Sequence, residues 1–420
     1  MAPVPGAFAV PPGALVRLAA TRQRTSDLDL LHAALHSRRL VLLKALLARV
    51  GHGGLPSEAA AAFDRDWRLL ARAEAPAPAA ARRQLDYPAV GGWIVAALNT
   101  DGPDALATAL RPLGGIAVGT ALRTGARLDT VLPTADGHLT LPGIGVHATR
   151  TRHVRVRSGP RGVLLTPQGR RTRSVLLGPG GRGTGAGWTS LAVLPGSAAR
   201  LDDLGTGPAP GPGTDRAAWL TRWRAAVALL EAADPWRAGE VTGLVRSVVP
   251  MTPAAEGASS GTLRAAPWAV HSALPGTARR FAEVLVHELA HSKLAVLADL
   301  LPLHDADASA VHRVAWREDL RPLGGVLQGT YAHLALADLW SRVATRPGAS
   351  PDARRAARAR RAEYGEQVAD ALPVLLNSHQ LTHHGTRFTV SMKQHLHTLG
   401  QGRNTPHERS DSLSGDGDVR

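Results

Sequence analysis

The sequence predicts an α+β protein that is mostly α-helical, and the distribution of apolar residues divides it into parts. Apolar residues recur at helical spacing through much of residues 1–128 and again through 214–400. Between these regions, residues 129–204 are rich in β-branched side chains, alternating patterns and Gly or Pro turns. We therefore expect a helical N-terminal region, a β-rich middle segment and a helical core.

The N-terminal region should begin with a long helix. The Ser-Asp pair at 26–27 can cap a helix through LDLLHAALHSRRLVLLKALLARV, and Gly51 can end it. A second helix is expected over 58–73, with shorter ones around 92–98 and 104–110.

The middle segment shows period-two alternation, with Val154 and Val156 set between Arg155 and Arg157. Such alternation predicts strands with one buried face. The stretch GTGPAPGPG at 205–213 predicts a linker or long loop.

The helical core, 214–400, should contain both helices and strands. The predicted elements are a helix capped by Thr214 or Asp215, strands near 244–249 and 268–274, a helix from Thr277 to Leu300 stopped by Pro302, and a helix over 325–343. Residues 401–420 contain almost no apolar side chains and are predicted to be a disordered tail.

Composition restricts the class of protein. There are no cysteines, so a disulfide framework and thiolate metal ligands are excluded. The net charge of +15 comes almost entirely from arginine, since Lys44, Lys293 and Lys393 are the only lysines. We interpret this as compositional bias and expect no nucleic-acid partner. The N-terminus lacks a signal-peptide pattern and no run of about 20 apolar residues occurs, so we expect a cytoplasmic protein without a membrane span.

One sequence motif indicates a metal-binding site. The run VLVHELAHSKL contains His287-Glu288-Leu289-Ala290-His291, an HExxH pattern on a predicted helix. Residues four apart share a helical face, so both imidazoles can reach one metal ion. The flanking residues are apolar, which predicts a buried helix in which His and Glu need a partner.

The third metal ligand would decide the class of enzyme, and three candidates follow the motif: His304, Glu318 and His333. The metzincin pattern is excluded, because Leu294 and Leu297 occupy the positions of its Gly and third His. A gluzincin-like zinc peptidase would use Glu318. We favour His333, because it lies in an apolar helix able to pack beside the motif helix.

The segments HELAHSKL, WREDLRP and GTYAH together resemble the HExxH-motif peptide-modification family of actinobacteria. These proteins are iron- and 2-oxoglutarate-dependent peptide β-hydroxylases that act on ribosomally made precursor peptides. The resemblance is strongest over 281–340 and weaker at HSRRLVLLKALL, YPAVGGWIVAAL, LDDL and LTHHGTRFTVSM. It implies a zincin-like helical metal core, a precursor-peptide substrate and hydroxylation of a side-chain β-carbon.

The resemblance implies that His287, His291 and His333 hold Fe(II). The distal carboxylate of 2-oxoglutarate would need a fork-shaped cation, for which Arg317 and Arg321 are the candidates. A weaker third candidate is Arg387, and each arginine could instead form a structural salt bridge.

The role of Glu288 stays open at this point. In the oxygenase it would orient a ligand or act as a weak extra ligand, whereas in a zinc peptidase it would be the general base for metal-bound water. A third possibility is a binding protein whose HExxH motif holds no metal.

Overall fold

The computed structural model describes residues 10–159, 161–169, 173–204, 214–252, 260–309 and 311–401. Helices account for 58% of the structure and strands for 16%, which confirms the predicted mostly-α member of the α+β class. The predicted linker at 205–213 and residues 402–420 of the predicted tail lie outside the described residues, whereas Gln401, the first residue of that predicted tail, is the last residue of a helix.

Seven helices precede the first strand. They are α1 (Pro12–Ala19), α2 (Thr25–Gly51), α3 (Ser57–Glu74), α4 (Pro78–Leu85), α5 (Pro88–Leu98), α6 (Pro103–Leu110) and α7 (Pro112–Thr124). Five of these helices begin with proline, whose fixed φ suits the first turn and whose missing N–H costs nothing there. The long helix ends at Gly51 as predicted.

The middle segment forms two small antiparallel sheets, followed by a hairpin. The strands are β1 (Asp129–Pro133), β2 (His138–Leu141), β3 (Gly145–Ala148), β4 (His153–Gly159), β5 (Gly162–Pro167), β6 (Val175–Leu177), β7 (Gly183–Thr184), β8 (Trp188–Ser190), β9 (Ala192–Val193) and β10 (Arg200–Leu201). One sheet has the order β1-β4-β5-β6-β7 and the other β2-β3-β8. In β4, Val154 and Val156 are buried and Arg155 and Arg157 are exposed, so the predicted alternation is confirmed.

A third sheet follows, with the order β12-β13-β11-β10-β9, in which β10, β11 and β13 run parallel. Its later members and the preceding helices are α8 (Arg216–Ala233), α9 (Pro235–Leu244), β11 (Ser247–Pro250), β12 (Ser260–Gly261) and β13 (Ala269–Ser272). Asp215 caps α8 through its side chain, one of the two predicted choices. Helix α9 was not predicted, and Pro235 at its start follows a second aspartate cap, Asp234.

The remaining elements are α10 (Ala278–Leu300), β14 (His312–Val314), β15 (Arg317–Arg321), α11 (Leu323–Thr345), α12 (Pro351–Leu376) and α13 (His383–Gln401). The predicted motif helix is α10, capped by Thr277, and the predicted histidine helix is α11. Helix α11 packs against α10, α12 and α13. The hairpin β14–β15 replaces the loop expected between α10 and α11, and its antiparallel pairing satisfies that polar backbone.

Two hydrophobic cores divide the described residues. The N-terminal core contains α3–α7, β1, β2, β4–β6 and the C-terminal part of α2. The C-terminal core contains α1, the N-terminal part of α2, the third sheet and α8–α13. The two cores therefore do not coincide with the predicted regions. Helix α1, from the N-terminal region, contacts α13, and the β9–β10 hairpin of the middle segment pairs with the third sheet through β11.

One stretch, Pro103–Thr124, is long and apolar enough to cross a membrane by length and composition, and 61% of its most apolar window is buried inside the protein. It comprises α6 and α7, which contribute to the N-terminal core. A buried core helix meets the same criteria, so this stretch is weak evidence for a membrane segment.

Candidate metal centre

Helix α10 carries the HExxH motif through the C-terminal core. Its N-terminus is fixed by Thr277, whose hydroxyl accepts from Arg280 N at 3.1 Å. Apolar side chains are buried on most sides of the helix, against α8, α11 and the third sheet. The remaining face lines a cavity of about 760 Å³ with side chains at helical spacing: Arg280, His287, His291, Ala295 and Ala298. The two alanines leave the cavity open beside the histidines.

The two motif histidines meet at their ring nitrogens. His287 Nε2 lies 3.0 Å from His291 Nε2. On its other side, His291 Nδ1 lies 3.0 Å from Gln328 Oε1 of α11. Because an amide oxygen only accepts, Nδ1 carries the proton and Nε2 of His291 presents a lone pair toward His287.

His333 approaches the pair from α11. Its ring centroid lies 5.5 Å from that of His287, and the side chain is 7% exposed. Trp316 packs edge-on against it at 4.6 Å, and Tyr364 lies at 5.5 Å on another side. Nδ1 of His333 is buried without a hydrogen-bond partner. Helix packing therefore brings the three predicted histidines into one cavity.

Burial favours the neutral form of two of these imidazoles, His287 and His333. The pKa of His287 lies well below its usual value because of burial and then the nearby His291, His333 and Arg280. Burial, with a smaller effect of His291, lowers the pKa of His333 to about 4. Neutral imidazole is the form that binds metal ions.

Within the residues that the structure describes, no three His, Asp or Glu side chains already stand in a metal-binding arrangement. The donor set nevertheless fits an ion. Lone-pair nitrogens 3.0 Å apart repel each other unless a proton or a metal ion lies between them. A neutral His287 that carries its one proton on Nδ1 leaves both Nε2 atoms free to share a metal ion, and Nδ1 of His333, which lacks a hydrogen-bond partner among the described residues, is a third nitrogen that can bind it.

Glu288 lines the same cavity but is held by hydroxyl groups. Ser260 Oγ donates to Glu288 Oε1 at 2.8 Å, and Thr262 Oγ1 donates to Oε2 at 2.8 Å. The side chain is 2% exposed, and both carboxylate oxygens have partners from β12 and the residue beyond it. Neither hydroxyl was singled out in the sequence, where they lie in a small-residue stretch without a recognisable motif.

The arginine candidates on strand β15 and Glu318, the alternative metal ligand, lie on opposite faces of that strand. Arg317, Asp319 and Arg321 share one face, and Asp319 pairs with both arginines at 2.9 and 3.0 Å. Glu318 is exposed and, being one residue out of phase, points to the other face. Of these residues only Arg317 lines the cavity among the described side chains. Arg387, the weaker candidate, lies on α13 and does not line it either.

The cavity contains further polar residues that the sequence did not indicate. Arg264 and Arg280 line it, so three arginines rather than one lie near the histidines. His304, one of the three candidate third ligands, also lines it and is half-buried, and its Nδ1 has no hydrogen-bond partner among the described residues. A Cβ on Gly324 would lie 2.7 Å from His304 Nε2, so this histidine packs closely against the start of α11.

Trp316 depends on a second glycine of α11. A Cβ on Gly329 would lie 2.6 Å from the Trp316 ring, so only glycine allows the indole to reach His333. The glycines of the pattern GGVLQG at 324–329 could therefore have indicated that other side chains pack closely against this helix.

Comparison of the chain with protein-family models and with curated protein sequences found no match, so the family resemblance rests on the motifs alone.

Proposed function

We propose that the protein is an Fe(II)- and 2-oxoglutarate-dependent oxygenase that hydroxylates a side-chain β-carbon of a ribosomally made precursor peptide. The observation that supports this is the convergence of three imidazoles from α10 and α11 on one cavity that also contains arginine. His287, His291 and His333 would hold the iron. When bound, iron would allow O2 and 2-oxoglutarate to convert a C–H bond of the peptide into C–OH, with succinate and CO2 as the products of 2-oxoglutarate.

The remaining residues have distinct roles in this proposal. Gln328 accepts from Nδ1 of His291 and so fixes which nitrogen faces the cavity, as outer hydrogen bonds do for metal-binding histidines. Trp316 shields His333 from solvent. Arg317, 46% exposed at the cavity wall, is suited to a bidentate contact with the distal carboxylate of 2-oxoglutarate.

Two observations favour the oxygenase over a zinc peptidase. The peptidase would need Glu318 as a ligand, yet this side chain is exposed on the opposite face of β15 from Arg317. It would also need Glu288 as a free general base, yet hydroxyl groups engage both of its oxygens. The cavity of about 760 Å³ falls in the range that accommodates a small cofactor together with a substrate side chain.

The test is anaerobic purification with Fe(II), followed by measurement of bound metal and of succinate released from 2-oxoglutarate. We expect His287→Ala and His291→Ala each to abolish metal binding, because the ion would then have only two of its three protein ligands. The matched control is His304→Ala, which removes a histidine of the same cavity and should retain iron. Stoichiometric metal in both motif variants would contradict the proposal, and bound zinc with peptide cleavage would favour the peptidase.

A further inference from the structure

A second polar cavity of about 670 Å³ lies where the two cores meet, and it shares no lining residue with the cavity of His287, His291 and His333. Its walls come from α2, α4, α7, the β9–β10 hairpin and the residue before β13. Its charged residues are Arg82, Arg83, Arg123, Arg200 and Arg246, against Asp29 and Asp86. We call it the basic cavity.

Three of these arginines have no acidic partner. Among the described residues, neither Arg83, Arg123 nor Arg200 forms a salt bridge with a carboxylate. The pKa of Arg123 is lowered by burial and then by the charges of Arg200 and Arg83. Burial likewise lowers the pKa of Arg200. Like charges that are partly removed from water favour an anion between them.

The Arg123 guanidinium is held in place by neutral acceptors. Its Nε donates to Gln84 Oε1 at 2.6 Å, and Gln84 Nε2 donates to Pro142 O at 2.8 Å. Gln84 is fully buried, so this chain of contacts leaves Arg123 little freedom. A guanidinium that is already fixed loses less conformational entropy when it binds a ligand, so the contact with Gln84 favours anion binding by Arg123.

Two buried ring nitrogens at the same cavity also lack hydrogen-bond partners within the described part of the chain. They are Nε1 of Trp268 and Nε2 of His32. Trp268 is 1% exposed and has a φ of +69°, a conformation that is costly for a bulky residue and is common at ligand sites. Its backbone N donates to Ser292 Oγ at 3.1 Å, which joins the basic cavity to α10 directly after His291.

We propose that the basic cavity binds a carboxylate-rich segment of a polypeptide. Guanidinium groups match carboxylates in a bidentate manner. The volume suits a ligand of several residues rather than a single inorganic ion. Apolar groups also line it, including Val193, which is 47% exposed on β9 at the edge of the third sheet. An edge strand can pair with an extended peptide. The inference rests on the proposed function only in taking this polypeptide to be the substrate.

The experiment measures fluorescence anisotropy of a labelled glutamate-rich octapeptide with the full chain, without iron or 2-oxoglutarate. The same peptide with Gln for Glu is the uncharged control. We expect saturable binding of the acidic probe that weakens with salt. Arg123→Gln and Arg200→Gln should each weaken it roughly tenfold or more, as expected for loss of a charge-assisted contact. Arg68→Gln, which removes an exposed arginine of α3, should change nothing.

Thermal unfolding of the same variants distinguishes a binding role from a structural one. Removing Arg200, a cation without a carboxylate partner among the described residues, from a cluster of like charges should leave the melting temperature unchanged or raise it. Arg123→Gln should lower it, because that change also leaves the buried Gln84 Oε1 without its donor. Weaker peptide binding at undiminished stability would support the proposal. Equal affinity for both peptides, tighter binding of pyrophosphate or oligothymidylate, or lower stability with unchanged binding would overturn it. Because the assay contains no iron, failure of succinate release would contradict the proposed function alone.

Discussion

Replacing Glu240 by glutamine tests a buried ion network that links α10 to α11. Glu240 on α9 accepts from Lys293 Nζ at 2.5 Å and from an Arg237 guanidinium nitrogen at 2.6 Å. Arg237 also donates to Asp338 at 2.9 Å. Lys293 lies on α10 and Asp338 on α11, and all four side chains are at most 2% exposed. The network therefore braces the two helices that carry the histidines.

Glutamine keeps the shape of Glu240 but removes its charge. Arg237 would retain Asp338, while Lys293 would lose its carboxylate partner and keep neutral acceptors, Gln23 Oε1 at 3.3 Å among them. Removing one partner of a buried ion pair costs about 3–5 kcal/mol of unfolding free energy. The pKa gives a similar figure. Burial raises the pKa of Glu240, but Lys293 and Arg237 outweigh it and lower it from 4.5 to about 2. At about 1.36 kcal/mol per pH unit, this corresponds to roughly 3 kcal/mol.

The assay is urea unfolding at pH 7, with Glu363→Gln as the matched control. Glu363 pairs with Arg360 at 3.1 Å, and these side chains are 49% and 37% exposed, so its loss should cost less than about 1 kcal/mol. A Glu240→Gln protein as stable as the control would refute the reasoning.

The pH dependence provides a second check on the same carboxylate. Since the folded-state pKa of Glu240 is depressed, its stabilising effect is fully present above pH 4.5 and disappears as the pH falls toward about 2. Wild-type protein should therefore lose about 3 kcal/mol more than the glutamine variant between these pH values. Parallel stability curves for the two proteins would contradict this assignment.

Three further predictions concern the metal centre. His333→Ala should lose iron, whereas Glu318→Ala should keep it and change stability by no more than about 0.5 kcal/mol, as measured by metal analysis and unfolding; iron loss only in the Glu318 variant would favour the gluzincin-like site. Glu288→Gln should keep iron and measurable hydroxylation by mass spectrometry, and metal-replete protein without activity would show that its carboxylate is needed. Arg317→Lys should raise the KM for 2-oxoglutarate roughly tenfold, because lysine lacks the bidentate fork, while Arg321→Lys should not; the reverse result would exchange their roles.

Much of the fold was readable from local signals. The helix ending at Gly51 and the cap at Thr277 follow from short-range chemistry, and the alternation around Val154 follows from one buried sheet face. Helix α9 was missed because it is only ten residues long and its hydrophobic pattern is weak. The hairpin β14–β15 was missed because its residues are polar and its pairing, rather than its burial, holds it together.

The sequence by itself determined that His287 and His291 share a face of a buried helix, because residues four apart lie above one another on any α-helix. It also singled out His333. Only the tertiary structure decided that His333 lies beside them, that Arg317 reaches the cavity and Arg321 does not, and that Ser260 and Thr262 hold Glu288. These contacts join residues distant in sequence through the packing of α10 against α11 and β12. No local periodicity records such packing, since it depends on the position of one element relative to another.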